Sequence, residues 1–251
     1  MHDLLQNNLI HRIYAFEAAS RISPRGRAKT YPIAFVLDRI FFVCKTGCQW
    51  NQLPAEQCSY KTIFHYFSKW SKARLFEDAF YELAGRIQCE RAIVDTSFVK
   101  NVGGQDVVGR NPTDRGRKAT KVSMLTNEIG TPLTLCFHRG NKSDMLTLKH
   151  LIDTCKRKTQ CLQTTTTLLA DKGYDSECNR TVCRTHDLNE SIAKRGRKGN
   201  VPGRYVIEQT FGILDQYRRI RVRYETKIGN FKSFNYLACA CLVSSRLARR
   251  S

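Results

Sequence analysis

Three carboxylates in this sequence stand where chemistry could be done: Asp95, Asp171 and Glu208. Asp95 closes the apolar part of "RAIVDTSFV", a β-branched run typical of a buried strand. Asp171 ends a second such run, "TTTTLLAD", and is followed at once by Lys172 and Gly173. Glu208 lies in "RYVIEQTFGILDQYRRI", where Ile207, Phe211 and Leu214 recur at helical spacing and should pack on a sheet. Facing carboxylates offer hard oxygen ligands suited to magnesium or manganese, and two such ions can clamp the attacking and leaving oxygens of a phosphodiester. Each acid also has a plainer reading. Asp95 could cap Thr96 and Ser97 at a strand end, Asp171 could start a turn, and Glu208 could pair with Arg204 one helical turn back.

The elements that must position these acids can be read along the chain. Residues 1–88 read as helical throughout. A short leading helix precedes the basic segment "SPRGRAKT", and "YPIAFVLDRIFFVCKTG" follows with Ile33, Val36, Leu37, Ile40 and Phe41 on one face, Pro32 near its start and Gly47 after its end. "KTIFHYFSKWSKARLFEDAFYELAG" carries an apolar face through Ile63, Phe67 and Trp70, a break, and then Leu75, Phe76, Ala79 and Phe80. Trp50 and Trp70 are expected in the core of this region rather than stacked on extruded bases.

From residue 91 the pattern changes. "KVSMLTNEIGTPLTLCFHRG" predicts two strands joined by a turn at Asn127 to Gly130. "SDMLTLKHLIDTCK" predicts a helix capped by Ser143, with Leu146, Leu148, Leu151 and Ile152 on one side. After "TTTTLLAD" come a helix, a strand in "SIAKR", the loop "GRKGNVPG" and two closing helices. The order is strand with Asp95, hairpin, helix, strand with Asp171, helix, strand, helix with Glu208. It predicts an α/β fold with a ribonuclease H-like mixed sheet and flanking helices, preceded by an all-helical N-terminal region.

Composition narrows the partners. The 251 residues, 41% of them hydrophobic, can bury a sizeable core. Lys and Arg number 42 against 22 Asp and Glu, a net charge of +20, which favours a polyanion such as nucleic acid. The cations expected to meet DNA phosphates are Lys118, Lys121, Lys172, Arg195, Arg197, Lys198, Arg204, Arg218, Arg219, Arg221 and Arg223. No apolar run approaches the ~20 residues of a spanning helix, and no secretory pattern opens the chain, so a membrane is not expected as partner. The eleven cysteines are odd in number and lack C-x2-C or H-x3-5-H spacing, which predicts free thiols in a reducing compartment rather than disulfides or structural zinc. His138 is expected as a structural histidine. Phosphate-loop, dinucleotide and serine-hydrolase signatures are missing from the sequence.

Several phrases resemble the DDE transposases of bacterial insertion sequences, in the group that includes the IS-four and IS-five types. "GCQWNQLP" with "YKTIFHYFSKWSKARLFE" is similar to the family's N-terminal helical region. "VDTSFV", "LLADKGYDS" and "RYVIEQTFGILDQYRRIRVRYE" are similar to its three catalytic blocks, and Arg204 and Glu208 keep its Arg-x-x-x-Glu spacing. The resemblance implies a helical DNA-binding region at residues 1–88 and a ribonuclease H-like DDE catalytic domain at 89–251. It further implies that Asp95, Asp171 and Glu208 bind two Mg2+ (or Mn2+) ions. The implied activity is cleavage of double-stranded DNA at terminal inverted repeats, then transfer of the 3′-hydroxyl ends into target DNA by a homodimer in a synaptic complex. Such a protein works in the cytoplasm at the nucleoid of a bacterium, or in the nucleus of a eukaryotic host. The sequence departs from the pattern at two places: Asp215 stands seven residues after Glu208 where lysine is usual, and Val201 stands where tyrosine is common. These departures keep open a weakened or domesticated relative that only binds DNA. A ribonuclease H-like repair or resolving nuclease is a third reading.

Overall fold

The computed structural model describes residues 3–19, 31–54, 58–196 and 201–249. Four helices come first: α1 (Asp3–Ala19), α2 (Ile33–Thr46), α3 (Tyr60–Lys72) and α4 (Leu75–Ala84). Their ends follow local chemistry. Pro32 precedes α2, and Gly47 stops it in the left-handed region at φ 71°, its N–H donating to the Val43 carbonyl. Ser59 caps α3 by accepting from the Lys61 N–H.

The sheet is built from β1 (Arg91–Asn101), β2 (Gly109–Arg110), β3 (Lys118–Thr126), β4 (Pro132–Arg139), β5 (Thr167–Ala170), β6 (Asn189–Ile192) and β7 (Val222–Arg223). Its main path runs β4-β3-β1-β5-β6, with β1 antiparallel to β3 and parallel to β5. The hairpin β3–β4 turns where expected, Asn127 accepting from the N–H groups of Ile129 and Thr131. The remaining helices are α5 (Leu148–Thr159), α6 (Glu177–Thr185), α7 (Tyr205–Leu214), α8 (Arg218–Arg221) and α9 (Ile228–Ala248).

Three local expectations are corrected. β1 does not end at Asp95 but runs on to Asn101, because β3 pairs with it from Ile93 through Lys100. The predicted helix from Ser143 starts later: residues 144–146 form a 3-10 turn, Ser143 makes no side-chain cap, and Leu146 is exposed. The strand expected in "SIAKR" begins two residues earlier, at Asn189.

The core runs continuously across residue 88, where secondary structure changes. Helix α9 is buried on most of its surface, which suits a helix apolar nearly all round. Its Phe234 stacks on Phe67 of α3 at 4.4 Å, and its Phe231 and Tyr236 meet Phe137 of β4 edge-on. The C-terminal helix therefore bonds the N-terminal helices to the sheet. Trp70 is buried with its indole N–H donating to Glu17, and Trp50 packs against Phe64, Phe67 and Phe234, so both belong to packing. Among the described residues no helix is long and apolar enough to cross a membrane.

Candidate active site

The parallel pairing of β1 and β5 decides where the first two acids meet. Arg91 pairs with Thr167 and Ile93 with Leu169; the ladder stops there, and Asp95 and Asp171, each two residues beyond that last pair, come together at one guanidinium, that of Arg204. The plainer readings hold for one oxygen of each. Asp95 Oδ1 accepts from the Thr96 N–H at 2.8 Å, and Asp171 Oδ1 accepts from the Gly173 N–H at 2.7 Å, opening a 3-10 turn over 172–174. The other oxygen of each faces one guanidinium: Arg204 lies 3.1 Å from Asp95 Oδ2 and 3.9 Å from Asp171 Oδ2.

Arg204 stands at the start of α7, the helix that carries Glu208 in its first turn. Its side chain is 14% exposed and its Nε is buried with no partner. Its ion pairs run to the two aspartates rather than along the helix to Glu208. Glu208 itself is exposed but close enough to be felt: burial raises the Asp95 carboxyl above its ordinary range, Thr96 and Arg204 oppose this, and the charges of Asp171 and Glu208 push it further up.

A fourth acid belongs to this cluster and was not singled out in the sequence. Asp144, in the turn after β4, accepts from Thr96 Oγ1 at 3.1 Å and pairs with Lys121 at 2.8 Å. It converges with Asp95 and Asp171 on Tyr174, whose buried hydroxyl has no partner and whose ionisation is strongly suppressed, first by burial and then by these three carboxylates. The available signal was position: an acid directly after the hairpin, in the basic stretch "RGNKSD". Gly173 keeps the approach open, since a Cβ there would lie 2.9 Å from Asp171 Oδ1.

The expected DNA-contacting cations divide. Lys118, Arg195, Arg218 and Arg221 are exposed, and Lys172 is half-buried beside Asp171. Arg195 reaches the same rim, its Nε donating to the Lys172 carbonyl. Arg197 and Lys198 lie outside the described residues. For Lys121, Arg219 and Arg223 a surface role is corrected, because their side chains are buried, while Arg204 turns toward the two aspartates of the candidate site. Lys121 is buried against Asp144 and the Lys142 carbonyl. Arg219 pairs with buried Glu225 at 2.6 Å and bonds the Cys48 carbonyl. Arg223 is fully buried and spends its guanidinium on Asp106, Thr120, Glu225 and Thr226. The phrase "GCQW" is thereby joined to "RRIR": a Cβ on Gly47 would lie 2.8 Å from Arg218 Cβ.

Chemically, the Asp95 and Asp171 oxygens that face Arg204 form a hard, anionic donor pair, and the guanidinium between them shows that the place accepts positive charge. This donor set fits magnesium or manganese.

A family model described as "Transposase DDE domain" matches residues 90–243, and one described as "Putative transposase of IS4/5 family" matches residues 12–80. The chain is 35% identical over 155 residues to a putative transposase for insertion sequence element IS402 of Burkholderia cepacia, covering 59% of this chain and 73% of that protein. It is 36% identical over 85 residues to an uncharacterised 16.2 kDa protein of the same element, covering 30% of this chain and 57% of that protein. In fold it is similar to a piggyBac transposase solved in a synaptic complex with hairpin DNA, at a TM-score of 0.57 and 8% identity, covering 96% of this chain and 71% of that one. The mixed sheet with its covering helices is ribonuclease H-like, and the chain belongs to the DDE transposases of the IS4/5 type, which are polynucleotidyl transferases and endonucleases.

Proposed function

We propose that this transposase cleaves double-stranded DNA at the terminal inverted repeats of its element and joins the freed 3′-hydroxyl ends to target DNA. The observation that supports this best is the meeting of Asp95 and Asp171 at Arg204, at the foot of the helix bearing Glu208. Asp95, Asp171 and Glu208 hold two divalent cations, magnesium or manganese. When bound, such ions supply Lewis-acid stabilisation of the attacking and leaving oxygens of a phosphodiester.

The remaining work falls to the chain's own residues. Thr96 and Gly173 donate backbone hydrogen bonds that fix the Asp95 and Asp171 carboxylates. Gly173 leaves room for a phosphate backbone to come close, and Lys172 and Arg195 line its path. Arg204 neutralises the acids before cations arrive. The reaction is in-line displacement at phosphorus and needs no covalent link between protein and DNA. Residues 1–88 serve as the helical DNA-binding region, the remainder as the catalytic domain, and two copies pair in the synaptic complex. Arg218 and Arg221 share a shallow surface hollow with Asp215, so two cations stand beside the position where the family usually has lysine.

The test is nicking of labelled DNA carrying the element's ends, with magnesium, manganese or EDTA. Metal-dependent nicking at the ends, abolished by Asp95→Ala, Asp171→Ala and Glu208→Ala while DNA binding persists, is the expected result. Binding without nicking would replace this reading with that of a DNA-binding relative, and cutting without preference for the ends with that of a structure-directed nuclease.

A further inference from the structure

A second cluster of potential ligands lies at the corner between β4 and α5. Cys136 and His138 are two residues apart on β4 and so project to one face, while Phe137 between them turns to α9. His150, in the first turn of α5, closes over them with its ring centroid 5.6 Å from that of His138. One ligand atom from each of Cys136, His138 and His150 lies within 4.8 Å of the others. His138 is only 6% exposed, yet its Nε2 has no hydrogen-bond partner. The Cys136 sulfur has only long contacts, 3.8 Å to the His150 carbonyl and 3.9 Å to Thr154 Oγ1. Buried polar atoms are normally satisfied, so an orphaned nitrogen on an imidazole that lies beside a thiol and a second imidazole calls for a ligand.

We propose that Cys136, His138 and His150 bind a zinc ion, with water as its fourth ligand. Sulfur and imidazole nitrogen are the donors zinc prefers. Bonds of about 2.0–2.3 Å in a tetrahedron set ligand atoms roughly 3.3–3.8 Å apart, so about 1 Å of side-chain movement closes the present arrangement. Burial and the nearby charges of Lys142, Lys121 and Lys232 keep His138 neutral down to about pH 4, and burial with Lys142, Arg157 and Lys232 acts in the same direction on His150 against the pull of Asp153. Neutral imidazoles are the form that binds metal, and the Cys136 thiol, pushed up to about 11 by burial, releases its proton to solvent as the ion binds. The same cations oppose a second positive charge, so the affinity falls below that of a four-ligand structural site. A solvent-open cavity of about 460 Å³, lined by Cys136, His150, Thr154 and Lys232, gives the ion its way in. Sequence spacing did not show this site because His150 reaches the pair only through the β4–α5 turn. The bound ion would tie both ends of the segment that carries Asp144, which bonds the neighbour of Asp95.

Cobalt replaces zinc in tetrahedral sites and reports its ligands by colour. Co2+ titrated into the metal-stripped full chain should give one equivalent of tetrahedral bands with a thiolate charge-transfer band, bleached by Zn2+. Affinity should fall at least tenfold in His150→Asn and in Cys136→Ser. Cys178→Ser, at an exposed thiol, and Asp171→Asn, at the acidic cluster, should leave the tetrahedral and thiolate bands unchanged. Should Cys136→Ser fail to fold, His150→Asn decides, since that side chain is exposed. Octahedral bands alone, a thiolate band that survives His150→Asn, or one lost in Cys178→Ser would overturn the assignment.

Discussion

Two arginines set among acids show opposite kinds of order. Arg223 is fully buried, and each of its guanidinium nitrogens finds an oxygen: Nε the Glu225 carbonyl, Nη1 the Asp106 carbonyl and Thr120, Nη2 the Asp106 carboxylate and the Thr226 carbonyl. Arg204 is nearly as enclosed but leaves its Nε orphaned, stands 3.9 Å from Asp171, and has beside it an Asp95 strained upward in pKa and a partnerless Tyr174 hydroxyl. A completed network holds the fold together, whereas an incomplete one stores polar groups for something that arrives later.

The comparison breaks first at the reaction. Asp171→Asn, nearly isosteric, should lower end-specific nicking by at least ~10³-fold, the equivalent of several kcal/mol of lost cation-borne stabilisation, with little change in unfolding midpoint. Kinetics and a thermal melt on the same preparation check both halves; a variant that keeps a tenth of the activity removes Asp171 from the site. The completed network should behave the other way. Arg223→Met leaves Thr120 and the carbonyls of Asp106, Glu225 and Thr226 without their buried donor and should cost about 1–3 kcal/mol in urea unfolding, and a loss below ~0.5 kcal/mol would mean the network is dispensable.

Exposed members of the same basic run sharpen the contrast. Arg218→Ala with Arg221→Ala should change stability by no more than ~0.5 kcal/mol while reducing the salt dependence of DNA binding by about two phosphate contacts. An unchanged slope would move the DNA elsewhere.

The smallest effect is on the acid side of the stability curve. The folded-state pKa of Asp95 lies above its ordinary 3.8, so the folded protein holds this proton more tightly than the unfolded chain. The associated stability is present below pH 3.8 and is lost as pH rises through the raised value. Asp95→Asn should therefore gain on wild type across that window and hold a constant lead above it. Unfolding free energies measured from acid to neutral pH would show this, and a lead that shrinks with rising pH would contradict the sign.

The limits of legibility follow the same division. Helix α2 could be read from its apolar spacing between Pro32 and Gly47, and the hairpin from its turn at Asn127 to Gly130, because those signals are local. Asp95 and Asp171 stood out because each closes an apolar run. That they come together at Arg204 depends on β1 pairing parallel to β5, which the sequence does not spell out. The run "RRIRVR" looks uniformly superficial in sequence, yet Arg219 and Arg223 turn inward toward Glu225 and Asp106, partners chosen by tertiary packing. Leu146 kept the helical spacing and is exposed because the helix starts only after it. Asp144 and the Cys136, His138 and His150 group were invisible for the same reason: each is assembled by a turn.

The most direct test of the incomplete network is a pair of thermal unfolding midpoints, for wild type and Asp95→Asn, each with EDTA and with Mn2+ at neutral pH. Without metal the variant should be the more stable, having lost a carboxylate that burial and its acidic neighbours disfavour. With Mn2+ wild type should rise and overtake it, because the ion binds the folded protein through that carboxylate. Equal shifts in the two proteins, with no reversal of order, would show that the acids around Arg204 are not where the cation binds.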